Sequence, residues 1–217
     1  GWREAAFTAT DLVAADPSPL ADELAAAVEE GGSPDWHGRF ADAEADYWPL
    51  VAEACEERLF EGAVLHEVAR RLPDPATLFV SNSMPVRDLD RFGRPRAADV
   101  RALGNRGVSG IDGVTSTGLG AGSATDDPLV VVTGDLAYYH DMNGLLALGR
   151  CDVEATIVLV NNDGGGIFHK LPIEAFDPPF TEQFKTPHGL DFEPTGDLYD
   201  LAFASVGSRE EFTDRFE

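Results

Sequence analysis

The stretch "ATIVLVNNDGGGIF", residues 155–168, carries the reading of the whole chain. An apolar, β-branched run, Ala155–Val160, stops abruptly and gives way to Asn161, Asn162, Asp163 and the glycines 164–166. A short run of that composition reads as a buried strand. The asparagines and the aspartate bring side-chain oxygens suited to hard cations. Glycine lets backbone approach a ligand and reach positive φ, at an entropic cost. Side-chain oxygens and bare backbone placed together at the end of a buried strand are the makings of a ligand loop.

Three more runs of this kind precede it: "TLFV" (77–80), "VRAL" (100–103) and "LVVVT" (129–133). Helical stretches lie between them, at 112–122 ("DGVTSTGLGAG") and 141–150 ("DMNGLLALGR"). Apolar strands alternating with helices predict an α/β fold, a parallel sheet with helices on both faces. In such sheets ligands bind at the carboxyl ends of the strands. The loops to inspect are therefore "SNSMPVRD", "GNRGVSGIDG", "GDLAYYHD" and "NNDGGGIF", which follow the four strands. Upstream the pattern is helical. Residues 16–30 read as a helix capped by Asp16 or Ser18, each followed by proline. Residues 41–58 read as a second helix, broken or kinked at Pro49, and residues 63–71 as a third. The change of pattern places a domain boundary near residues 45–60. We take 1–55 as the remnant of a preceding domain and 56–217 as the α/β domain.

The chain has 217 residues, 43% hydrophobic, enough for one sizeable core. No apolar run reaches the length of a membrane span, and the opening "GWREAAF" lacks the pattern of a signal peptide. Both ends read as cut from a longer protein. Cys55 and Cys151 are too few for a disulfide framework and read as reduced thiols in a cytoplasmic protein. The net charge is −23, and Lys170 and Lys185 are the only lysines. This acidity argues against a nucleic-acid partner, which needs basic surface. Its spread along the chain favours adaptation to high salt over a single docking patch for a basic partner.

Asp135 follows "LVVVT" and one glycine; Asn161 and Asn162 follow "TIVLV". If the two strands are neighbours, Asp135 and Asn162 face one point, with the Gly164 carbonyl as a natural third oxygen. A carboxylate, an amide oxygen and a carbonyl form a partial octahedral shell for Mg²⁺, which keeps its other positions for water or phosphate. The amides after Gly134-Asp135 add a place for phosphate. Either loop alone reads equally as a helix cap and a turn; the pair is the informative signal.

The pair resembles the thiamin-diphosphate signature, Gly-Asp followed by Asn-Asn, here with Asp135 and Asn162 twenty-seven positions apart and Leu136 where Gly is usual. With "SNSMPVRD", "NRGVSGIDGVTST", "GDLAYYHDMNGLLAL" and "NNDGGGIFHKLP", the chain closely resembles the family of menaquinone-pathway synthases that make 2-succinyl-5-enolpyruvyl-6-hydroxy-3-cyclohexene-1-carboxylate. The likeness is dense from about Phe60 to Leu171. It implies the tail of a middle domain followed by most of a diphosphate-binding domain. It implies thiamin diphosphate and Mg²⁺ as cofactors, the latter held by Asp135, Asn162 and Gly164. It implies decarboxylation of 2-oxoglutarate and conjugate addition of the succinyl unit to isochorismate. Ser83, Arg87 and Arg106 match positions that contact substrate, and arginine forks suit the two dicarboxylates. Ile111 matches the residue that props the cofactor in its bent shape. Asn82, Gly134, Leu136 and Ala137 match the diphosphate side, and Ile167, Phe168 and Leu171 an apolar wall. The family also implies a homodimer or homotetramer, in which a pyrimidine-binding domain outside this chain supplies the glutamate that activates the cofactor.

Two alternatives remain. One is another thiamin-diphosphate decarboxylase or carboligase, which "NRGVSGIDG" disfavours. The other is a non-catalytic nucleotide-binding module, whose only support is "GLGAGS" (118–123), a loose match to the dinucleotide fingerprint that does not closely follow a strand.

Overall fold

The computed structural model describes residues 8–28, 32–105 and 110–216. The chain divides into two compact units, Gly1–Tyr47 and Trp48–Glu217.

In the first unit, helix α1 (Pro17–Ala27) starts where the sequence placed it. Asp16 caps it by accepting the Ser18 amide at 3.1 Å, and prolines occupy its first turn. None of its residues is buried. Helix α2 (Pro34–Glu57) begins well before residue 41 and passes through Pro49 without ending there. An interior proline loses one backbone hydrogen bond and crowds the preceding turn. Ala, Glu and Leu around it favour helix. Just beyond it, Val51 and Cys55 are buried against Ala63 in the second unit's own core, which holds this part of the helix in place.

The second unit runs α3 (Glu61–Arg71), β1 (Ala76–Val80), α4 (Met84–Phe92), β2 (Val100–Leu103), α5 (Val114–Gly122) and β3 (Leu129–Gly134). It continues through α6 (Asp135–Asp141), α7 (Leu146–Cys151), β4 (Thr156–Val160), α8 (Pro194–Tyr199) and α9 (Arg209–Phe216). The strands form one parallel sheet in the order β2-β1-β3-β4. Side chains alternate across a strand, so each strand feeds two cores. Leu78, Val80, Val130, Val132 and Val158 pack on Leu65 and Val68 of α3 and on Leu72 just after it. Phe79, Leu129, Val131 and Ile157 point the other way, onto Val114 and Leu119 of α5 and Leu148 of α7. Helices thus cover both faces, as a parallel sheet requires. At the edge, β2 is mostly exposed.

Two further stretches differ from the sequence reading. "SNSMPVRD" was expected as loop, yet α4 begins at Met84, so Arg87 sits on a helix. Residues 141–150, expected as one helix, split into a 3₁₀ turn (Met142–Leu145) and α7. Asn143 and Gly144 lie at the break, and both are poor helix formers.

Helix α9 is tied to α3 by a buried carboxylate. Glu67, with no exposed side-chain surface, accepts hydrogen bonds from Arg70 at 3.0 Å, Arg71 at 2.8 Å and Arg209 at 2.8 Å. Among the described residues, no helix is long and apolar enough to cross a membrane.

The register decides what the sheet edge presents. Val80 pairs with Val132, and Gly134 with Val160. The chain therefore leaves β1, β3 and β4 side by side, bringing Ser81–Ser83, Asp135 and Asn161–Asn162 to one edge.

Candidate cofactor site

A cavity of about 270 Å³ opens at this edge. Asn82 and Ser83 line it from the β1 loop, and Ile111 from the segment leading into α5. Gly134, Asp135, Leu136 and Ala137 line it from the end of β3 and the start of α6. Asn162, Gly164, Ile167 and Phe168 line it from the loop after β4. Leu171 does not: it caps the 3₁₀ turn Gly166–Lys170 in extended conformation, where the chain turns away, and is 47% exposed. Arg87 also lies outside the lining, with its guanidinium donating to the Ser83 carbonyl at 2.6 Å, one helical turn back. Arg106 falls outside the described residues.

Asp135 is the hub. Its Oδ1 accepts the Leu136 amide at 2.6 Å. Its Oδ2 accepts the amides of Asn162 at 3.1 Å and Gly164 at 2.9 Å. The carboxylate thus knits the β3 and β4 loops together. Gly164 has φ +130, and a side chain there would run into the Lys185 carbonyl, so both conformation and space demand glycine. Its own carbonyl accepts the Gly166 amide at 2.9 Å, leaving one lone pair. Phe168 is held edge-on to Phe184, ring centroids 5.7 Å apart. Ser83 caps α4 at φ 73, a conformation non-glycine residues rarely adopt and one that clusters at functional sites.

Buried polar atoms are normally paired, so exceptions ask for a reason. Among the described residues, the unpaired buried side-chain atoms include Ser81 Oγ, Asp88 Oδ2 and Asn162 Oδ1, all on residues lining this cavity. His188 Nε2, outside the lining, lies 3.2 Å from Asp135 Oδ2. The three cavity atoms fit a site built for a ligand. The donor set of Asp135 carboxylate, unpaired Asn162 amide oxygen and Gly164 carbonyl is all hard oxygen, which suits Mg²⁺. Among the described residues no cluster of three His, Cys, Asp or Glu side chains is arranged to hold a metal, and this set does not depend on one.

The structure adds three residues that sequence reading missed. His188 reaches Asp135 from the distant "TPHGL" segment, with Nε2 3.2 Å from Oδ2, while its Nδ1 accepts the Leu190 amide at 2.9 Å. The same segment is pinned by Asp163, which accepts the amides of Gly189 at 2.8 Å and His188 at 3.0 Å. Those two bonds hold the Asp163 carboxyl below its ordinary range. Glu61, at the start of α3, accepts a hydrogen bond from Asn162 Nδ2. Asp88, in α4, is 4% exposed. No spacing rule connects these positions to Asp135 or Asn162, and local pattern carries no signal for them.

Burial, and after it the nearby Glu61 charge, push the Asp88 carboxyl up to about 6. A carboxyl raised above its unfolded value of 3.8 destabilises the fold progressively as pH climbs from about 4 to 6, and fully above that. Asp88→Asn is therefore expected to stabilise the protein by about 1–3 kcal/mol at pH 8 and hardly at all near pH 4. Urea unfolding of both proteins at the two pH values checks this; equal gains at both would remove the ionisation argument.

No protein-family model matches the chain. Curated proteins do. The chain is 63% identical over 216 residues to the 2-succinyl-5-enolpyruvyl-6-hydroxy-3-cyclohexene-1-carboxylate synthase of Haloarcula marismortui, a match covering 100% of this chain and 36% of that protein. The chain belongs to this synthase family. The synthase of Halobacterium salinarum is 62% identical, over 98% of this chain and 36% of its own length. That of Roseiflexus castenholzii is 47% identical, over 99% and 37%. The chain thus spans little more than a third of the length of these relatives. The acid excess read from the sequence agrees with the halophilic sources of the first two synthases. Among solved structures, benzoylformate decarboxylase from Polynucleobacter necessarius aligns with a TM-score of 0.57 at 20% identity, over 73% of this chain and 30% of that one. A thiamine diphosphate-dependent 4-hydroxybenzoylformate decarboxylase from Rhodococcus jostii RHA1 gives 0.57 at 21%, with the same coverage. The parallel sheet with its two helical layers is the fold shared with these enzymes.

Proposed function

We propose that this chain is the part of a menaquinone-pathway synthase that holds the diphosphate end of thiamin diphosphate and its Mg²⁺. The carrying observation is that Asp135 holds the Asn162 backbone amide while the Asn162 side-chain oxygen stays buried and unpaired, both residues lining one cavity, in a chain 63% identical throughout to such a synthase. On this reading Asp135, Asn162 and the Gly164 carbonyl hold Mg²⁺. Asn82 and the start of α6, Gly134 to Ala137, face the diphosphate. Ile111 props the cofactor from below, while Ile167 and Phe168 exclude water from one side. Bound thiamin diphosphate supplies the carbon nucleophile and electron sink for decarboxylating 2-oxoglutarate and for adding the succinyl unit to isochorismate. Ser83, Arg87 and Arg106 bind and orient the substrates' carboxylates. Residues 1–55 correspond to the end of a middle domain and a linker, whose last turns from Trp48 onward pack with the second unit, and 56–217 to the diphosphate domain. The working enzyme is a cytoplasmic homodimer or homotetramer, in which a pyrimidine-binding domain completes the site.

Mass-spectrometric product analysis tests the reading. The full-length protein, given thiamin diphosphate, Mg²⁺, 2-oxoglutarate and isochorismate, is expected to form the succinyl adduct of isochorismate with release of CO₂. CO₂ without an adduct would favour a simple decarboxylase instead. Arg106→Lys keeps the charge but loses the two-pronged geometry. In the full-length enzyme it is expected to lower kcat/KM by about 1–3 kcal/mol of transition-state binding while leaving cofactor affinity unchanged. Wild-type kinetics would take Arg106 out of the site.

A further inference from the structure

Glu61 stands at the first position of α3, and its partner Asn162 lies 101 residues further along the chain. An acid in the first turn of a helix needs no partner, because the helix dipole already favours it. This one is nonetheless half-buried, lines the cavity and accepts a hydrogen bond from Asn162 Nδ2. We infer that Glu61 is a positioning residue that locks the Asn162 amide with its oxygen turned to the metal position and its nitrogen turned away; this rests on the Mg²⁺ reading above.

The argument does not depend on how the two ends of the amide are assigned. An ionised carboxylate has acceptors only, whereas an amide has a donor end and an acceptor end. With Glu61 ionised, the amide must present its NH₂ to it. The reverse orientation would set two oxygens against each other. Once Nδ2 is committed, Oδ1, which is buried, has no partner among the described residues. An orphaned buried oxygen is unfavourable unless a ligand satisfies it. Asp135 gives the required company: its Oδ2 accepts the Asn162 backbone amide at 3.1 Å, so the loop that carries the amide oxygen is tied to that carboxylate. Gly166 closes the other side, since a Cβ there would lie 2.5 Å from Nδ2. The amide is held between a carboxylate and bare backbone. Asparagine, unlike aspartate, offers a metal only one oxygen. A half-turn of the amide would replace that ligand with an NH₂ group, so the lock decides whether the ligand exists.

The test measures Mn²⁺ affinity in the full-length protein by electron paramagnetic resonance with thiamin diphosphate present, and needs no turnover. Asp135→Ala should abolish binding; if it does not, the metal reading itself fails. Given that loss, Glu61→Ala and Glu61→Gln should each weaken Mn²⁺ by about 10- to 100-fold, the range typical of groups that orient a metal ligand. Asn162→Asp provides the discriminating background. Its two oxygens are equivalent, so orientation no longer matters, and Glu61 now repels the ligand. Adding Glu61→Gln to Asn162→Asp should strengthen Mn²⁺ binding rather than weaken it. A purely structural Glu61 would weaken binding in both backgrounds and lower the melting temperature in step. Unchanged affinity in the single Glu61 variants, or the same sign of effect in both backgrounds, would overturn the lock.

Discussion

Asp135→Ala is expected to abolish Mg²⁺-dependent binding of thiamin diphosphate, with affinity falling on the order of 100-fold or more. A direct ligand outweighs the roughly 10- to 100-fold effect of groups that only orient one. The site offers few protein oxygens, so each carries a large share. The structure also gives Asp135 a second task, because its two oxygens accept the amides of Leu136, Asn162 and Gly164. Alanine would leave three amides of the β3 and β4 loops without their acceptor. A loss of about 2–4 kcal/mol in unfolding free energy should therefore accompany the lost affinity. Asn162→Ala separates the two effects. It deletes the amide oxygen but keeps the backbone amide that Asp135 holds, so it should lose Mg²⁺-dependent binding with a smaller loss of stability. Calorimetric titration of the full-length variants with the cofactor, with and without Mg²⁺, decides the matter. Undiminished binding in both variants would remove the metal assignment.

The second large effect lies away from the cavity. Glu67→Ala is expected to destabilise the fold by about 3 kcal/mol, through the loss of a buried carboxylate shared by three arginines. Removing one member of a buried ion cluster typically destabilises by roughly 3–5 kcal/mol. Here Arg71 and Arg209 keep 21% and 32% of their side-chain surface, so water partly compensates and the lower end applies. Burial alone would raise the Glu67 carboxyl, but the bonds from Arg71, Arg209 and Arg70 outweigh it and bring it from 4.5 down to about 2. A carboxyl held below its unfolded value stabilises the fold above pH 4.5, and that contribution fades as pH falls toward 2. Its size is roughly 3 kcal/mol, from about 1.4 kcal/mol per pH unit. Denaturant unfolding of wild type and variant across pH 2–7 in molar KCl is the measurement. The gap should close in acid yet persist in high salt, because buried charges are screened far less than exposed ones. A difference below about 1 kcal/mol near neutrality would mean the cluster is energetically idle.

Much of this molecule is legible without coordinates. The four apolar runs each became a strand; β1 and β3 are buried and leave a clear local mark, a short apolar run bounded by turn-forming loops, whereas β2 is a mostly exposed edge. Once those runs are strands, the residues just after them must lie at the carboxyl edge. Asp135, Asn162 and Gly164 could therefore be named together from their positions alone. Where local signals conflicted, the reading slipped. Pro49 looked like a helix break, but packing around Val51 and Cys55 carries the helix through it. "SNSMPVRD" looked like loop because Ser, Asn and Pro crowd it, yet Pro85 sits in the first turn of α4, where proline is tolerated.

By itself, the sequence determined the sheet, its carboxyl edge, the oxygen donors on that edge and the acidic surface, all of which follow from residues adjacent in the chain. Only the tertiary structure decided that β3 lies between β1 and β4, and hence that Asp135 and Asn162 meet. It alone brought Glu61 to the Asn162 amide, His188 to Asp135, Asp88 into the cavity and Arg209 to Glu67. The division has one physical cause. Strand and turn preferences are set by neighbours within a few residues, whereas these contacts join groups as far as 101 and 142 positions apart. Such pairs meet only when the helices and loops are packed on the sheet, and no local pattern encodes which of the many carboxylates will be chosen.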